Sequence, residues 1–137
     1  MRSCIAALIL VVSVALPAAI AQQVQAPALK SFEFIGCSGD FEGRDGTPEI
    51  WRVIADGQVS FLTHTVAACG LVGRAPVVAG DADSLDLSYE MYSPTDVVIM
   101  CECEYWAKFT LSPAAHSVKS ATFGGKRAVL KGTWPGR

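Results

Sequence analysis

The stretch LDLSYEMYSPTDVVIMCECEYW, from Leu85 to Trp106, carries the clearest strand pattern of the sequence. Between Leu85 and Met91, apolar residues alternate strictly with polar ones, which is the period of a strand with one face in water. In the second half, one face carries Val97, Ile99, Cys101, Cys103 and Tyr105. Pro94 lies in the link and is typical of a turn. We therefore predict a β-hairpin in which Leu85 faces Cys103 on a buried side.

The first 21 residues have the form of a secretory signal peptide. A positive start at Met1-Arg2 precedes an apolar run from Cys4 to Leu16, and Ala19-Ile20-Ala21 has the small-x-small form that signal peptidase cuts. An uncleaved membrane anchor is the alternative, but the run is shorter than the roughly 20 residues that a span needs. No later segment is long enough to span a bilayer. The predicted divisions are a signal peptide (1–21), a flexible leader (22–30) and a single β domain (31–137).

Removal of this signal peptide leaves four cysteines, Cys37, Cys69, Cys101 and Cys103. An even number in an exported chain indicates two disulfides and a periplasmic or secreted location. Two residues apart on one strand, Cys101 and Cys103 have parallel side chains, so each needs a partner elsewhere. The preferred pairing is Cys69–Cys101 with Cys37–Cys103, and the swapped pairing stays open.

The remainder of the chain is also rich in strand and turn signals. Asp56-Gly57 is a strong hairpin turn, and Gly124-Gly125 marks a weaker one. Residues 31–37 are expected to form a first strand and the glycine-rich residues 38–48 a loop. Residues 70–80 are ambiguous, and a short strand at Val77-Val78 is one interpretation of them. These signals predict an all-β fold, a small antiparallel β-sandwich or barrel of about 7–8 strands stapled by two disulfides.

Catalytic and metal chemistry find little support in the sequence. It contains no nucleophile elbow, HExxH, Walker or dinucleotide motif, so no enzymatic activity and no cofactor are expected. Cys101-x-Cys103 offers an alternative, a soft-metal site for copper or zinc. That motif stands without a second CxC, a histidine cluster or a methionine-rich tract, and an oxidising compartment would consume its thiols.

Charge is separated along the chain. Residues 81–104 contain seven acidic residues and no Lys or Arg, whereas the residues after Glu104 contain six basic residues and no acid. Ten basic and thirteen acidic residues after Ala21 give a net charge of −3. Neighbouring blocks would neutralise each other, whereas separated blocks would present an acidic face to a cationic partner. Nucleic acid is not expected as a partner, because the basic block is small and lacks interleaved aromatic residues.

The function that these features favour is non-enzymatic binding or protein interaction. The candidate interaction residues are Asp86, Glu90, Glu102, Glu104, Trp51 and Trp106. Residues 38–48 and 70–83 are expected as binding loops, with Tyr92 and Trp134 as further anchors. Two alternatives accompany this interpretation: a soft-metal protein that uses Cys101 and Cys103, and a periplasmic inhibitor of a cationic enzyme such as a lysozyme.

Overall fold

A computed structural model describes residues 26–40, 47–97 and 99–133. The predicted signal peptide lies outside these residues, as do residues 22–25 of the leader, residues 41–46 of the glycine-rich segment, and Trp134. Within the described chain, helical structure is limited to a 3-10 helix at Pro113–Ser117, and none of it has the length and apolar character to cross a membrane. The division into signal peptide, leader and domain stays a prediction.

The described residues form nine strands in two packed sheets, which confirms the all-β sandwich. The strands are β1 (Leu29–Asp40), β2 (Glu49–Ala55), β3 (Gln58–Cys69), β4 (Val72–Gly80), β5 (Ser84–Tyr92), β6 (Ile99–Leu111), β7 (Ser120–Phe123), β8 (Lys126–Arg127) and β9 (Val129–Thr133). One sheet has the order β1-β6-β3-β2-β9 and the other β4-β5-β7-β8. Pairing is antiparallel except for β2 with β9 and β5 with β7, which are parallel.

The predicted hairpin from Leu85 to Trp106 is wrong, because its two arms belong to different sheets. β5 pairs with β4 and β7, whereas β6 pairs with β1 and β3. Leu85 and Cys103 are both buried, as predicted, but they enter the core from opposite layers. The alternation of apolar and polar residues identifies the buried face of each strand. The same alternation is expected whether two strands pair side by side in one sheet or face each other across the core.

The two turns with local signals form as predicted. Asp56 and Gly57 both have positive φ, 51° and 72°, and join β2 to β3 in an antiparallel pair. Gly124 and Gly125 likewise join β7 to β8. The chain then leaves that sheet after Arg127, so the weaker predicted hairpin is only two residues long on its second side.

Two strands extend beyond the sequence-based expectation. β1 continues to Asp40, so the first residues of the predicted glycine-rich loop belong to a strand. β4 occupies most of residues 70–80, which were predicted as a binding loop. Its irregularity comes from a register shift between Arg74 and Val77, where Ala75 has a φ of 49° and Pro76 removes a backbone donor. Such a bulged edge resists pairing with another chain.

The core lies between the two sheets and is rich in aromatic rings. Phe109 of β6 is fully buried, and its ring centroid lies 5.0 Å from that of Phe32 and 6.2 Å from that of Tyr89 in the other sheet. Around these rings the fully buried residues include Ile50, Val59, Phe61, Leu85, Leu87 and Leu111. Burial also raises the pKa of the Tyr89 hydroxyl, which therefore stays protonated.

Both disulfides attach to β6, with Cys37 joined to Cys103 and Cys69 joined to Cys101. This is the preferred pairing from the sequence. The bridges link β6 to its two neighbours, β1 on one side and β3 on the other. They do not connect β6 to β5, which contains no cysteine.

Gly80 provides the first test of the fold. Its φ is +111°, and an added Cβ would overlap the carbonyl oxygen of Ser84, so Gly80→Ala should lower the free energy of unfolding by about 3 kcal/mol. Gly57→Ala is the control, because Gly57 has a φ of +72° but nothing within 4 Å, and should lose only about 1 kcal/mol. Urea unfolding measures both. Equal losses would show that the backbone near Ser84 relaxes around the methyl group.

Candidate functional site

The predicted interaction residues fall on opposite faces of the sandwich. Leu85 and Leu87 are buried, so Asp86 and Glu90, at the alternate positions of β5, lie on the outer face of the four-stranded sheet. On β6 the same alternation puts Glu102, Glu104 and Trp106 on the outer face of the five-stranded sheet, where Trp51 also lies opposite Leu62. The structure therefore does not bring the six residues together, and their interaction role stays a prediction.

On the four-stranded sheet the acidic side chains already bind partners within the chain. Glu90 accepts two hydrogen bonds from the Arg74 guanidinium, at 3.0 and 2.9 Å, and these bonds hold the pKa of Glu90 below its ordinary value. Asp86 accepts a hydrogen bond from the Thr122 hydroxyl. The acidic and basic blocks meet in the ion pair between Asp83 and Lys119 at 2.9 Å. A cationic partner would have to compete with these contacts.

On the five-stranded sheet, the outer face carries a cluster that includes His64, which the sequence did not single out as an interaction residue. Its Nε2 lies 3.7 Å from Glu104 Oε1, and its ring centroid lies 4.6 Å from that of Trp106. His64 is 3% exposed and Trp106 is 6% exposed. The expectation that Trp106 is an exposed anchor is therefore wrong. Glu102 of the same strand is exposed, and Trp51 is partly exposed.

The cysteines bear on the soft-metal alternative. The sulfur atoms of Cys101 and Cys103 are both bonded to other cysteines, so that alternative applies only to a reduced chain. Among residues 26–40, 47–97 and 99–133, no three His, Cys, Asp or Glu side chains are grouped so that they could hold a metal ion.

An opening between the sheets arises because they have unequal widths. The four-stranded sheet ends at β8, which has two residues, whereas the five-stranded sheet continues through β2 to β9. Alternation along β2 puts Ile50, Arg52 and Ile54 on the inner face. Ile50 is fully buried, but Ile54 is 57% exposed. The inner face of β2 and β9 is therefore partly uncovered.

Two cavities lie at this edge of the sandwich, and we call them together the edge groove. The larger, of about 500 Å³, is lined by Ser84, Lys119, Ser120, Ala121, Thr122, Arg127, Ala128 and Leu130. The smaller, of about 320 Å³, is lined by Arg52, Ile54, Leu130, Lys131 and Gly132. Leu130 is the one described residue that lines both cavities.

The edge groove is positively charged although the chain as a whole is acidic. Among its described lining residues four are cationic, Arg52, Lys119, Arg127 and Lys131, and none is Asp or Glu. Each lysine has one carboxylate partner, since Lys119 binds Asp83 and Lys131 lies 3.1 Å from Glu49. Neither arginine has a carboxylate within ion-pair distance anywhere in the described chain. Both arginines are therefore cations without a carboxylate partner in the described chain, Arg52 on the inner face of β2 and Arg127 opposite Thr122 on the outer face of the four-stranded sheet.

Arg52 is the more unusual of the two arginines because it reaches inward between the sheets. It is half-buried, its guanidinium lies 5.9 Å from the centroid of the Phe61 ring, and its Nη2 donates a hydrogen bond to the Val118 carbonyl. Its Nε is buried and finds no acceptor in the described chain. Removing a cation from water without a counter-charge is costly. An anion beside the Arg52 guanidinium would supply the counter-charge.

The sequence contained partial signals for this site. The basic residues after Glu104 include Lys119, Arg127 and Lys131. Arg52 lies two residues after Ile50 and two before Ile54, so a strand pattern puts it on the same face as these two apolar residues. Neither signal shows that β9 lies beside β2, which is the pairing that assembles the groove.

Comparisons with known proteins give no functional information. No protein-family model matches the chain, and neither a curated protein nor a solved structure matches it.

Proposed function

We propose that this chain is an exported, non-enzymatic binding domain that holds a small anionic ligand in the edge groove. The observation that carries the proposal is Arg52, a half-buried cation without a carboxylate partner in the described chain, beside cavities whose described lining contains no acidic residue. Cavities of about 500 and 320 Å³ are in the range of small-molecule sites, roughly 300–1,000 Å³.

The groove chemistry supports binding over catalysis. Its described lining consists of cations, hydroxyls and small apolar side chains, and no described His, Asp or Glu lies in it to activate a serine or threonine hydroxyl as a nucleophile. Export is supported by the signal-peptide pattern of residues 1–21 and by the two disulfides, which persist in oxidising compartments.

The test is a titration of the protein with inorganic phosphate, followed by amide NMR. We expect saturable shifts at Arg52, Ile54 and the residues of β7 to β9 that line the groove. The double variant R52M/R127Q should lose at least about tenfold in affinity, because it removes both uncompensated charges. Lys108→Gln is the matched control: Lys108 belongs to the same basic block but lies on the outer face of β6, so its removal should leave binding unchanged.

Stability provides the second readout of the same variants. Met keeps the length and apolar character of the Arg52 stem and removes a half-buried charge, but it also leaves the Val118 carbonyl without its donor. The two effects oppose each other, so R52M should change the free energy of unfolding by no more than about 1 kcal/mol. Near-wild-type stability with a loss of anion binding would identify Arg52 as a ligand-binding residue. Phosphate binding by R52M/R127Q at the wild-type affinity, or shifts confined to residues outside the groove, would refute the proposal.

A further inference from the structure

The smaller cavity of the edge groove is lined by one cation that the described chain does not compensate. Arg52 has no carboxylate partner there, whereas Lys131 lies 3.1 Å from Glu49. Within the Arg52 guanidinium, Nη2 donates to the Val118 carbonyl and Nε is fully enclosed. Nη1 has no acceptor among the described residues and is not enclosed, so it can donate to a ligand in the cavity. The charge of this cavity therefore suits a ligand with one anionic group.

Apolar side chains flank this cation on the same face of the sheet. Ile50, Arg52 and Ile54 alternate along the inner face of β2. Leu130 of β9 pairs beside Ile50 and lines the smaller cavity together with Ile54. Ile54 is 57% exposed although it faces inward, since the four-stranded sheet ends at the two residues of β8. The cavity therefore has an apolar surface beside its uncompensated charge.

The combination of the two features is more informative than either one. Single exposed apolar side chains are common on protein surfaces. A small inorganic anion would compensate Arg52 but leave Ile54 in water, and a neutral apolar molecule would cover Ile54 but leave the cation without a counter-charge. A ligand that is anionic at one end and apolar along its length satisfies both.

From this arrangement we infer that the ligand is an amphipathic monocarboxylate, a linear apolar chain that ends in one carboxylate. The carboxylate accepts a hydrogen bond from Nη1 of Arg52, and the chain packs on Ile54 and Leu130. A carboxylate carries a single charge and forms strong hydrogen bonds with a guanidinium, which matches the one uncompensated cation. The inference rests on the proposed function, because it names the ligand class of the same groove.

Chain length distinguishes this ligand class from a simple anion. Each methylene group that leaves water on binding should raise the affinity about fourfold when it is fully buried, and about twofold when it is half-buried. The smaller cavity, of about 320 Å³, lies at the lower end of the range for small-molecule sites. Affinity should therefore rise over the first few methylene groups and then level off, where the rest of the chain extends into water.

The experiment is calorimetric titration of the wild-type protein with linear monocarboxylates from acetate to decanoate. Primary alcohols of equal carbon number are the matched controls for the charge, and acetate is the control for the chain. We expect the best carboxylate to bind at least about tenfold more tightly than acetate, and at least about tenfold more tightly than its alcohol. Amide NMR with that carboxylate should show shifts at Arg52, Ile54 and Leu130.

Two variants test the two ends of the ligand. R52M should lower the affinity of the best carboxylate to about that of the equally long alcohol. Ile54→Ser removes apolar surface but no charge, so it should weaken binding of the best carboxylate at least about threefold more than binding of acetate. Ile35→Ser is the matched control. Ile35 is 49% exposed on β1, at the opposite edge of the same sheet, and its replacement should leave binding unchanged.

The outcomes separate the inference from the proposed function. Phosphate binding at Arg52 with no rise in affinity from acetate to decanoate would overturn the inference and leave the proposed function intact. Equal effects of Ile54→Ser and Ile35→Ser would also overturn the inference, and both isoleucines are exposed, so both variants should fold. Alcohols that bind as tightly as the carboxylates would overturn it as well, since the cation would then have no part in binding. Absence of any anion binding in the groove, phosphate included, would overturn both.

Discussion

Replacing Cys37 and Cys103 together with alanine is expected to lower the free energy of unfolding by about 4 kcal/mol. The bridge closes a loop with a sequence separation of 66, and its loss restores conformational entropy to the unfolded chain. Cys103 is also 1% exposed, so the substitution removes a buried sulfur from the core. Both effects act in the same direction, and guanidinium chloride unfolding measures their sum.

The other bridge is the internal comparison. Cys69 and Cys101 have a sequence separation of 32, so C69A/C101A should cost about 0.6 kcal/mol less in loop entropy. Cys101 is exposed, so its replacement by alanine should remove few packing contacts. Intact mass after thiol alkylation should show no free thiol at the four positions in the wild type. A larger loss for C69A/C101A than for C37A/C103A would contradict this ranking.

Phe109→Ala should cost about 3–5 kcal/mol. The ring is fully buried, and its centroid lies 5.0 Å from Phe32 within the sheet and 6.2 Å from Tyr89 across the core. Truncation opens a cavity between the two layers, and the surrounding strands are held in place by their ladders, so collapse is limited.

Val77→Ala is the control for Phe109→Ala. Val77 is 54% exposed on β4, an edge strand, and its truncation should cost less than about 1 kcal/mol. The free energy of unfolding should fall with denaturant concentration at the same slope in both variants, which would show that each unfolds in one cooperative transition. A loss below about 1.5 kcal/mol for F109A would mean that the layers do not pack tightly at this point.

Local signals in the sequence predicted local structure well. Asp56-Gly57 and Gly124-Gly125 form the turns that their chemistry favours, because a positive φ is required there whatever the rest of the fold does. The disulfide pairing is the one preferred from the sequence. The sequence showed that Cys101 and Cys103 cannot bond to each other but left the swapped pairing open, and the positions of β1 and β3 on either side of β6 decide between the two.

The relation between strands was less predictable. Alternation in β5 and β6 identified Leu85 and Tyr105 as inward-facing, and both are buried. It could not show that these strands lie in different sheets, because two strands with inward-facing apolar residues can pair in one sheet or face each other across one core. β4 was foreseen only as an alternative short strand at Val77-Val78, because Gly73, Pro76 and Gly80 interrupt its pattern. Its neighbour β5 supplies the pairing that makes it a longer strand.

The candidate site was the least predictable part. The acidic and aromatic residues proposed from the sequence point outward from two opposite faces, whereas the groove uses Arg52, Lys119, Arg127 and Lys131. Their proximity depends on a parallel pairing between β2 and β9, and no spacing in the sequence encodes such a pairing. What the sequence did contain was the separation of charge, with basic residues collected after Glu104.

The parallel pairing of β2 with β9 also has a kinetic meaning. Glu49 pairs with Val129, and Leu29 pairs with Leu111. Each outermost strand of the five-stranded sheet therefore pairs with a strand that lies far from it in the sequence. Contacts this distant in sequence slow folding, because loop closure precedes their stabilisation. The groove that β9 completes therefore exists only once this pairing has formed. A ligand held there would bind the folded state alone and shift the folding equilibrium toward it.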